Sequence, residues 1–323
     1  MKIVYYTSGI TGSGRVVRGI SIGNALKRNN INCDYTILSS SSFAHLADTF
    51  RISHTEIPLE HEEQLSKENV STSILYETLH KLNPDVLLID LLWFNLYHFI
   101  HELSCKKVFL SHYVIEEFFT IPLESGTISI RPSDYDLLLA VEPFTCSVPM
   151  QQINPIILRN RDEILSRDKA LDQLNLSDSQ KICLYAFNAH PDDFERFKNK
   201  YSYLEDVGYQ MVYTTNYKGG IFPIVDYFNA FDLIITGAGY SAFWEVIYFN
   251  KEAIFENFPL LFSSTERRIK ECQEYYFDKN GALRSGHLMR KVQRGKRRGA
   301  LVVRASTGEE IIPLRIRNIE RKY

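Results

Sequence analysis

The chain has 323 residues, 45% of them hydrophobic, and a formal net charge of −2. That length supports two hydrophobic cores, and the near-neutral charge excludes a general affinity for nucleic acid. Cys33, Cys105, Cys146, Cys183 and Cys272 are odd in number and stand at no metal-ligand spacing, which fits a reduced cytoplasmic protein better than a disulfide-bonded secreted one.

The N-terminus, MKIVYYTSG, has no signal-peptide pattern and reads as a strand over residues 2–7. A loop containing Gly12 and Gly14 follows, then a helix over 15–28 and a strand over 31–38. This β-loop-α-β unit opens a nucleotide-type α/β domain. Arg15 and Arg18 share one face of the first helical turn, where the helix dipole disfavours cations. They read either as partners of an anionic ligand or as solvated arginines beside a carboxylate.

A helix over 71–82 leads to a buried strand over 86–89 that ends in Asp90, a site-like position at the end of a parallel strand, although an aspartate there is more often a cap for the next segment. The most apolar window, 86–100, is broken by Asp90, Asn95 and His98, so no run is long enough to cross a bilayer. A helix over 94–103 and a strand over 107–111 come next. The loop after them holds His112, Glu116 and Glu117, an imidazole suited to proton transfer beside carboxylates that can orient it or replace it. A hydrogen-bonded loop histidine is the plainer alternative. A strand over 136–141 closes the first domain, and Pro143, Pro149 and Pro155 mark the boundary.

The organisation expected is therefore a domain over 1–160, a linker over 161–179 with a polar helix, and a second domain over 180–323. The second begins with a strand over 182–186, a helix over 191–204 and a strand over 210–213. Its first turn has no glycine. A Pro-Asp-Asp helix start explains Asp192 and Asp193 better than a metal cluster with His190. Residues 219–223, GGIFP, precede a short helix over 224–230.

The stretch 231–259 carries the most chemistry. Leu233, Ile234 and Ile235 suit a doubly buried strand, Gly237 and Gly239 break it, and Ser241 is placed to cap a helix running to about 249. A strand over 252–255 follows. Glycine backbone and helix-start amides make a phosphate site, and Glu245, one turn in, can accept two hydrogen bonds from a ribose diol. The plainer alternative is a glycine-shaped turn with Glu245 complementing the helix dipole. A further helix starts near Thr265. Between 284 and 304 stand eight lysines and arginines and no acid, so removing them from the total of −2 leaves −10 on the rest. Such a run suits anionic head groups or a polyanionic acceptor, or is a solvated basic surface, and 300–316 reads as a hairpin.

Gly237, Gly239, Ser241 and Glu245, with the strand and Pro259 after them, resemble the donor-binding segment of GT-B glycosyltransferases, above all the family that forms lipid II. GSGRVVRGISIGNAL is similar to the G-x-G-H-x-x-R opening of several such families and of a related sugar-nucleotide hydrolase. The resemblance implies two Rossmann-like domains facing across a cleft and metal-independent transfer of a sugar from a nucleotide diphosphate donor, a UDP-sugar, to a glycan or lipid-linked acceptor of the cell envelope. No cofactor is implied, the nucleotide sugar being substrate. It assigns the donor to Gly237, Gly239, Tyr240, Ser241 and Glu245, with Phe222 against the base and Ser264, Glu266 and Arg267 near the sugar. Gly12, Gly14 and Arg18 match the opening motif, but Arg15 stands where the family has its basic histidine. An arginine stays protonated, so His112 or Glu116 is the candidate base and Arg15 a phosphate partner. A cytoplasmic protein with peripheral membrane contact is expected. The rival readings are an epimerase or hydrolase of the same fold and a non-catalytic nucleotide-sugar binder.

Overall fold

A computed structural model describes residues 1–8, 12–123, 126–188, 191–257, 262–272 and 274–285. They fall into two compact units, and the chain passes from the first to the second between Leu158 and Arg159. Residues 262–264 group with the first unit again.

The first unit holds strands β1 (Lys2–Thr7), β2 (Asp34–Ser39), β3 (Ser53–Glu56), β4 (Val86–Asp90), β5 (Lys106–Ser111), the hairpin β6 (Thr120–Leu123) and β7 (Gly126–Ser129), β8 (Leu137–Ala140) and β9 (Gln151–Gln152). Seven of them form one parallel sheet in the order β3-β2-β1-β4-β5-β8-β9. The direction of chain progress reverses between β1 and β4, the place where open α/β sheets bind ligands at their carboxyl edge. Crossovers cover the faces of a parallel sheet, which is why Val4, Tyr5, Tyr6, Leu87 and Ile89 are all buried along neighbouring strands. The Gly14–Arg28 helix lies on this sheet through Val16, Val17 and Ile20. It lies close because Gly19 and Gly23 have no side chain: a Cβ there would stand 2.6 Å from the Tyr5 ring and 2.7 Å from the Tyr35 ring.

The helix expected over 94–103 is broken. Trp93–Leu96 is helical and Ile100–Glu102 forms a tighter turn closed by i→i−3 bonds, among them Phe99 N–H to Leu96 O. Trp93, Leu96, Phe99, Ile100 and Leu103 remain buried throughout.

The second unit has β10 (Lys181–Ala186), β11 (Tyr209–Thr214), β12 (Leu233–Gly237) and β13 (Ala253–Glu256) in a parallel sheet ordered β11-β10-β12-β13, and an antiparallel hairpin of β14 (Tyr275–Phe277) and β15 (Leu283–Ser285). Here the reversal falls between β10 and β12. Its core gathers Cys183, Tyr185, Phe197, Tyr201, Leu233 and Ile235, with Phe187 stacked on Phe197 at 5.7 Å. Residues 161–179, expected as a linker, belong to this unit. Arg159 clamps Asp226 with two bonds of 2.7 and 2.8 Å, and the Arg167–Leu174 helix packs on Ile224–Ala230. The expected 191–204 helix divides into Pro191–Lys200 and Tyr203–Asp206. His190, Pro259, the hairpin at 300–316 and the basic run beyond residue 285 lie outside the described residues.

Candidate active site

The second unit builds its site at the end of β12. Leu233, Ile234 and Ile235 are buried, the strand ends at Gly237, and Gly239 caps a helix over Tyr240–Tyr248. Ser241, expected as the cap, lies instead in the first helical turn, because extended backbone at Gly239 (φ −60°, ψ 154°) already starts the helix. A glycine cap has no side chain to occupy the first amides, which have no intrahelical acceptors. The Gly239 N–H makes no hydrogen bond among the described residues. Its φ is one any residue adopts, and a Cβ built there meets nothing within 4 Å among the described residues. Neither conformation nor packing requires this glycine. The contrast is the Gly219–Gly220 turn, where Gly219 has φ +61° and a Cβ on Gly220 would stand 2.3 Å from Thr215 O.

Glu245 lies one turn into that helix, between buried Trp244 and Val246, and is only 8% exposed. Burial, with a smaller contribution from the charge of Asp226, pushes its carboxyl up to about 8. Among the described residues its carboxylate makes no hydrogen bond. Phe222 is half-buried in the loop before Ile224–Ala230, and the Ile221 N–H beside it is held by Thr214 Oγ1 at 2.9 Å.

The Thr265–Cys272 helix carries the remaining donor-side candidates. Ser264 and Glu266 are half-buried, and Arg267 pairs with Glu271 at 2.7 Å along the helix surface. Arg268, which the sequence reading passed over, is 2% exposed and donates from Nη1 to Ala238 O at 2.8 Å. Its only sequence signal is position: Thr265, Arg268, Ile269 and Cys272 form the buried face, and one of the four is charged.

In the first unit, a Cβ built on Gly12 or Gly14 likewise meets nothing within 4 Å among the described residues. Arg15 is half-buried, its guanidinium has no ion pair among the described residues, and desolvation lowers its pKa. Arg18 is otherwise placed. It is 1% exposed, and its Nη1 meets Asp90 Oδ1 at 2.5 Å. The Tyr5 hydroxyl lies against the other Asp90 oxygen and 2.9 Å from Arg15 O. A buried guanidinium needs a carboxylate, so Arg18 braces the loop-helix junction from inside instead of facing a ligand, and Asp90 is its ion-pair partner instead of a segment cap.

His112 is half-buried with Nδ1 2.9 Å from Tyr113 O. Glu116 is exposed and accepts the Ser147 N–H with both oxygens, at 3.1 and 3.2 Å. The carboxylate beside the histidine loop is Glu142, 1% exposed, which accepts the Tyr113 N–H at 2.7 Å and was not visible as a partner in the sequence. Asp193 pairs with Arg196 at 2.7 Å, as a helix-start acid does. Among the described residues no helix is long and apolar enough to cross a membrane.

No protein-family model and no curated protein matches the sequence. In structure the chain is similar to the Streptomyces sp. SF2575 glycosyltransferase SsfS6 complexed with thymidine diphosphate, at 12% identity and a TM-score of 0.55, over 85% of this chain and 86% of that one. It is also similar to the spinosyn rhamnosyltransferase SpnG, at 12% identity and a TM-score of 0.51, over 85% of each. That likeness shows the fold: two Rossmann-like α/β units of the GT-B glycosyltransferase type.

Proposed function

We propose that this chain is a glycosyltransferase that moves a sugar from a nucleoside diphosphate donor, a UDP-sugar, to an acceptor hydroxyl. The observation that carries the reading is the pairing, at one strand end, of a helix start free of side chain with a buried carboxylate that makes no hydrogen bond among the described residues. The amides after Gly237 meet the diphosphate oxygens and stabilise the charge of the leaving nucleotide. Glu245 accepts hydrogen bonds from the ribose diol, and Phe222 lies against the base. Tyr240, Ser241, Glu266 and Arg267 border the phosphates and sugar.

The acceptor is assigned to the loop of Gly12 and Gly14, where the cationic Arg15 attracts a phosphate. His112 is the proposed general base, with Glu142 fixing its loop through the Tyr113 amide. The reaction needs no divalent ion in this reading, so chelators leave the rate unchanged. The basic run over 284–304 supplies peripheral contact with anionic membrane from the cytoplasmic side.

A second reading follows from Arg15, since a chain without the family's basic histidine is also suited to hydrolysis, epimerisation or binding alone. Product analysis separates them: a glycoside formed only with acceptor means transfer, free sugar or an isomer means the others, and no turnover means a binder. The decisive first experiment is a thermal-shift panel of nucleotides. Selective stabilisation by uridine diphosphate species, lost in Glu245→Ala, supports the reading; equal stabilisation by adenine dinucleotides, or none by any nucleotide, defeats it.

A further inference from the structure

We infer that Arg268 is the positioning residue that aims the backbone of the donor turn at the diphosphate, an inference that rests on the donor site proposed above. Ala238, at the centre of the turn, is fully buried and held at both of its backbone polar groups. Its N–H donates to Glu256 O at 3.2 Å, and its carbonyl receives Arg268 Nη1 at 2.8 Å. Each anchor is itself held. The Glu256 carboxylate is only 8% exposed and receives Lys200 Nζ at 2.5 Å and the Tyr201 hydroxyl, while Thr265, at the start of the Arg268 helix, bonds Asn257 just beyond β13.

The carbonyl of Ala238 and the N–H of Gly239 belong to one peptide plane and, in a trans peptide, point in opposite directions. Fixing the carbonyl on Arg268 therefore fixes the Gly239 N–H facing away from it, and that N–H makes no hydrogen bond among the described residues. Between alanine and glycine this plane turns over easily, because glycine accepts either orientation. Turned over, it would aim a carbonyl oxygen at the diphosphate in place of an amide. An arginine 2% exposed is costly to bury. A methionine or leucine would fill the same helix face without that cost, so the guanidinium points to a function that packing alone does not need.

The test compares uridine with UDP on the full chain, using calorimetry for UDP and ligand-observed NMR for uridine. Arg268→Met is expected to weaken UDP by roughly 10- to 100-fold and to leave uridine, held through Glu245, within about twofold. Arg268→Lys, which keeps a donor to the carbonyl, recovers most of the loss. An Arg268→Met protein that folds and keeps its UDP affinity overturns the inference, as does a parallel loss of uridine and UDP, which marks a purely structural residue. If Arg268→Met does not fold, Arg268→Gln is read by the same two ratios. A wild-type chain that binds UDP no better than uridine defeats the donor-site reading itself, and the inference with it.

Discussion

The two units carry the same device, a strand, a glycine loop and a helix start, and finish it differently. Behind Gly12 and Gly14 buried polar groups pair with one another, Arg18 Nη1 with Asp90 and Tyr5 across Asp90 and the Arg15 carbonyl, while Arg18 Nε makes no hydrogen bond among the described residues. Behind Gly237 and Gly239 a carboxylate that is buried less deeply, Glu245 at 8% exposure, makes no hydrogen bond among the described residues, and burial holds its carboxyl near 8. Buried polar groups in stable structures are satisfied. The first arrangement carries a charge partner for its buried cation, whereas in the second no donor among the described residues reaches the carboxylate. The comparison teaches that glycines whose built Cβ meets nothing among the described residues, Gly12 and Gly14 in one unit and Gly239 in the other, do not by themselves tell a binding turn from a structural one; the state of the side chain behind them does.

The comparison breaks most easily at Asp90. If its pair with Arg18 is architecture, Asp90→Ala leaves a guanidinium buried without its carboxylate and costs about 3–5 kcal/mol of stability, read as a lower urea midpoint with unchanged slope. Arg18→Met with Asp90→Leu, apolar on both sides, is expected to recover most of that. An Asp90→Ala protein as stable as wild type means that the pair is not structural and reopens Arg18 as a ligand contact.

Glu245 gives the next largest effect, and its sign is opposite to that of an ordinary paired acid. Its folded-state value, about 8, lies above the 4.5 of the free side chain, so between those values the folded chain holds a proton that the unfolded chain has released. Stability therefore falls as pH rises through this window, by at most about 1.4 kcal/mol per pH unit from this one group. Glu245→Gln flattens that slope in denaturation series from pH 5 to 8; an unchanged slope means the carboxyl is not held protonated. Ribose hydroxyls donating to the carboxylate favour its ionised form, so UDP binding at pH 7 releases a proton, measurable as a binding enthalpy that depends on the buffer's ionisation enthalpy. A diol grip also predicts that UDP binds roughly tenfold tighter than 2′-deoxy-UDP, and that Glu245→Ala abolishes the preference. Equal affinities in the wild type remove the diol from the account.

Much of this was legible in the sequence because it is local. Apolar runs of strand length, glycines at their ends and an acid one helical turn later are all contained within residues 231–256, and the structure places β12, the Tyr240–Tyr248 helix and β13 there. What was not legible depends on partners far along the chain. Arg18 reads as a solvated or ligand-binding cation until Asp90, 72 residues on, is folded against it. His112 and Glu116 look like a pair by proximity in sequence, yet Glu116 serves the Ser147 amide and the buried carboxylate by the histidine loop comes from Glu142. Arg268 sits in a run, TERRIKEC, whose polarity suggests a solvated helix. Only the docking of that helix shows which of its two adjacent arginines turns inward.

The finest distinction is between glycines that the fold needs and glycines that leave room for something else, and it is tested by one methyl group. Gly239→Ala adds a Cβ in open space at a φ that alanine adopts freely. It is expected to change stability by less than about 1 kcal/mol, because only the loss of a glycine cap and a small gain in backbone rigidity act on it. The same methyl would stand where the diphosphate is proposed to approach, so UDP affinity falls by about tenfold. Gly220→Ala is the counterpart: its Cβ would stand 2.3 Å from Thr215 O, so it lowers the melting temperature clearly. If Gly239→Ala binds UDP like wild type, the room above that turn is not where the diphosphate sits, and the contrast between the two units rests on Glu245 alone.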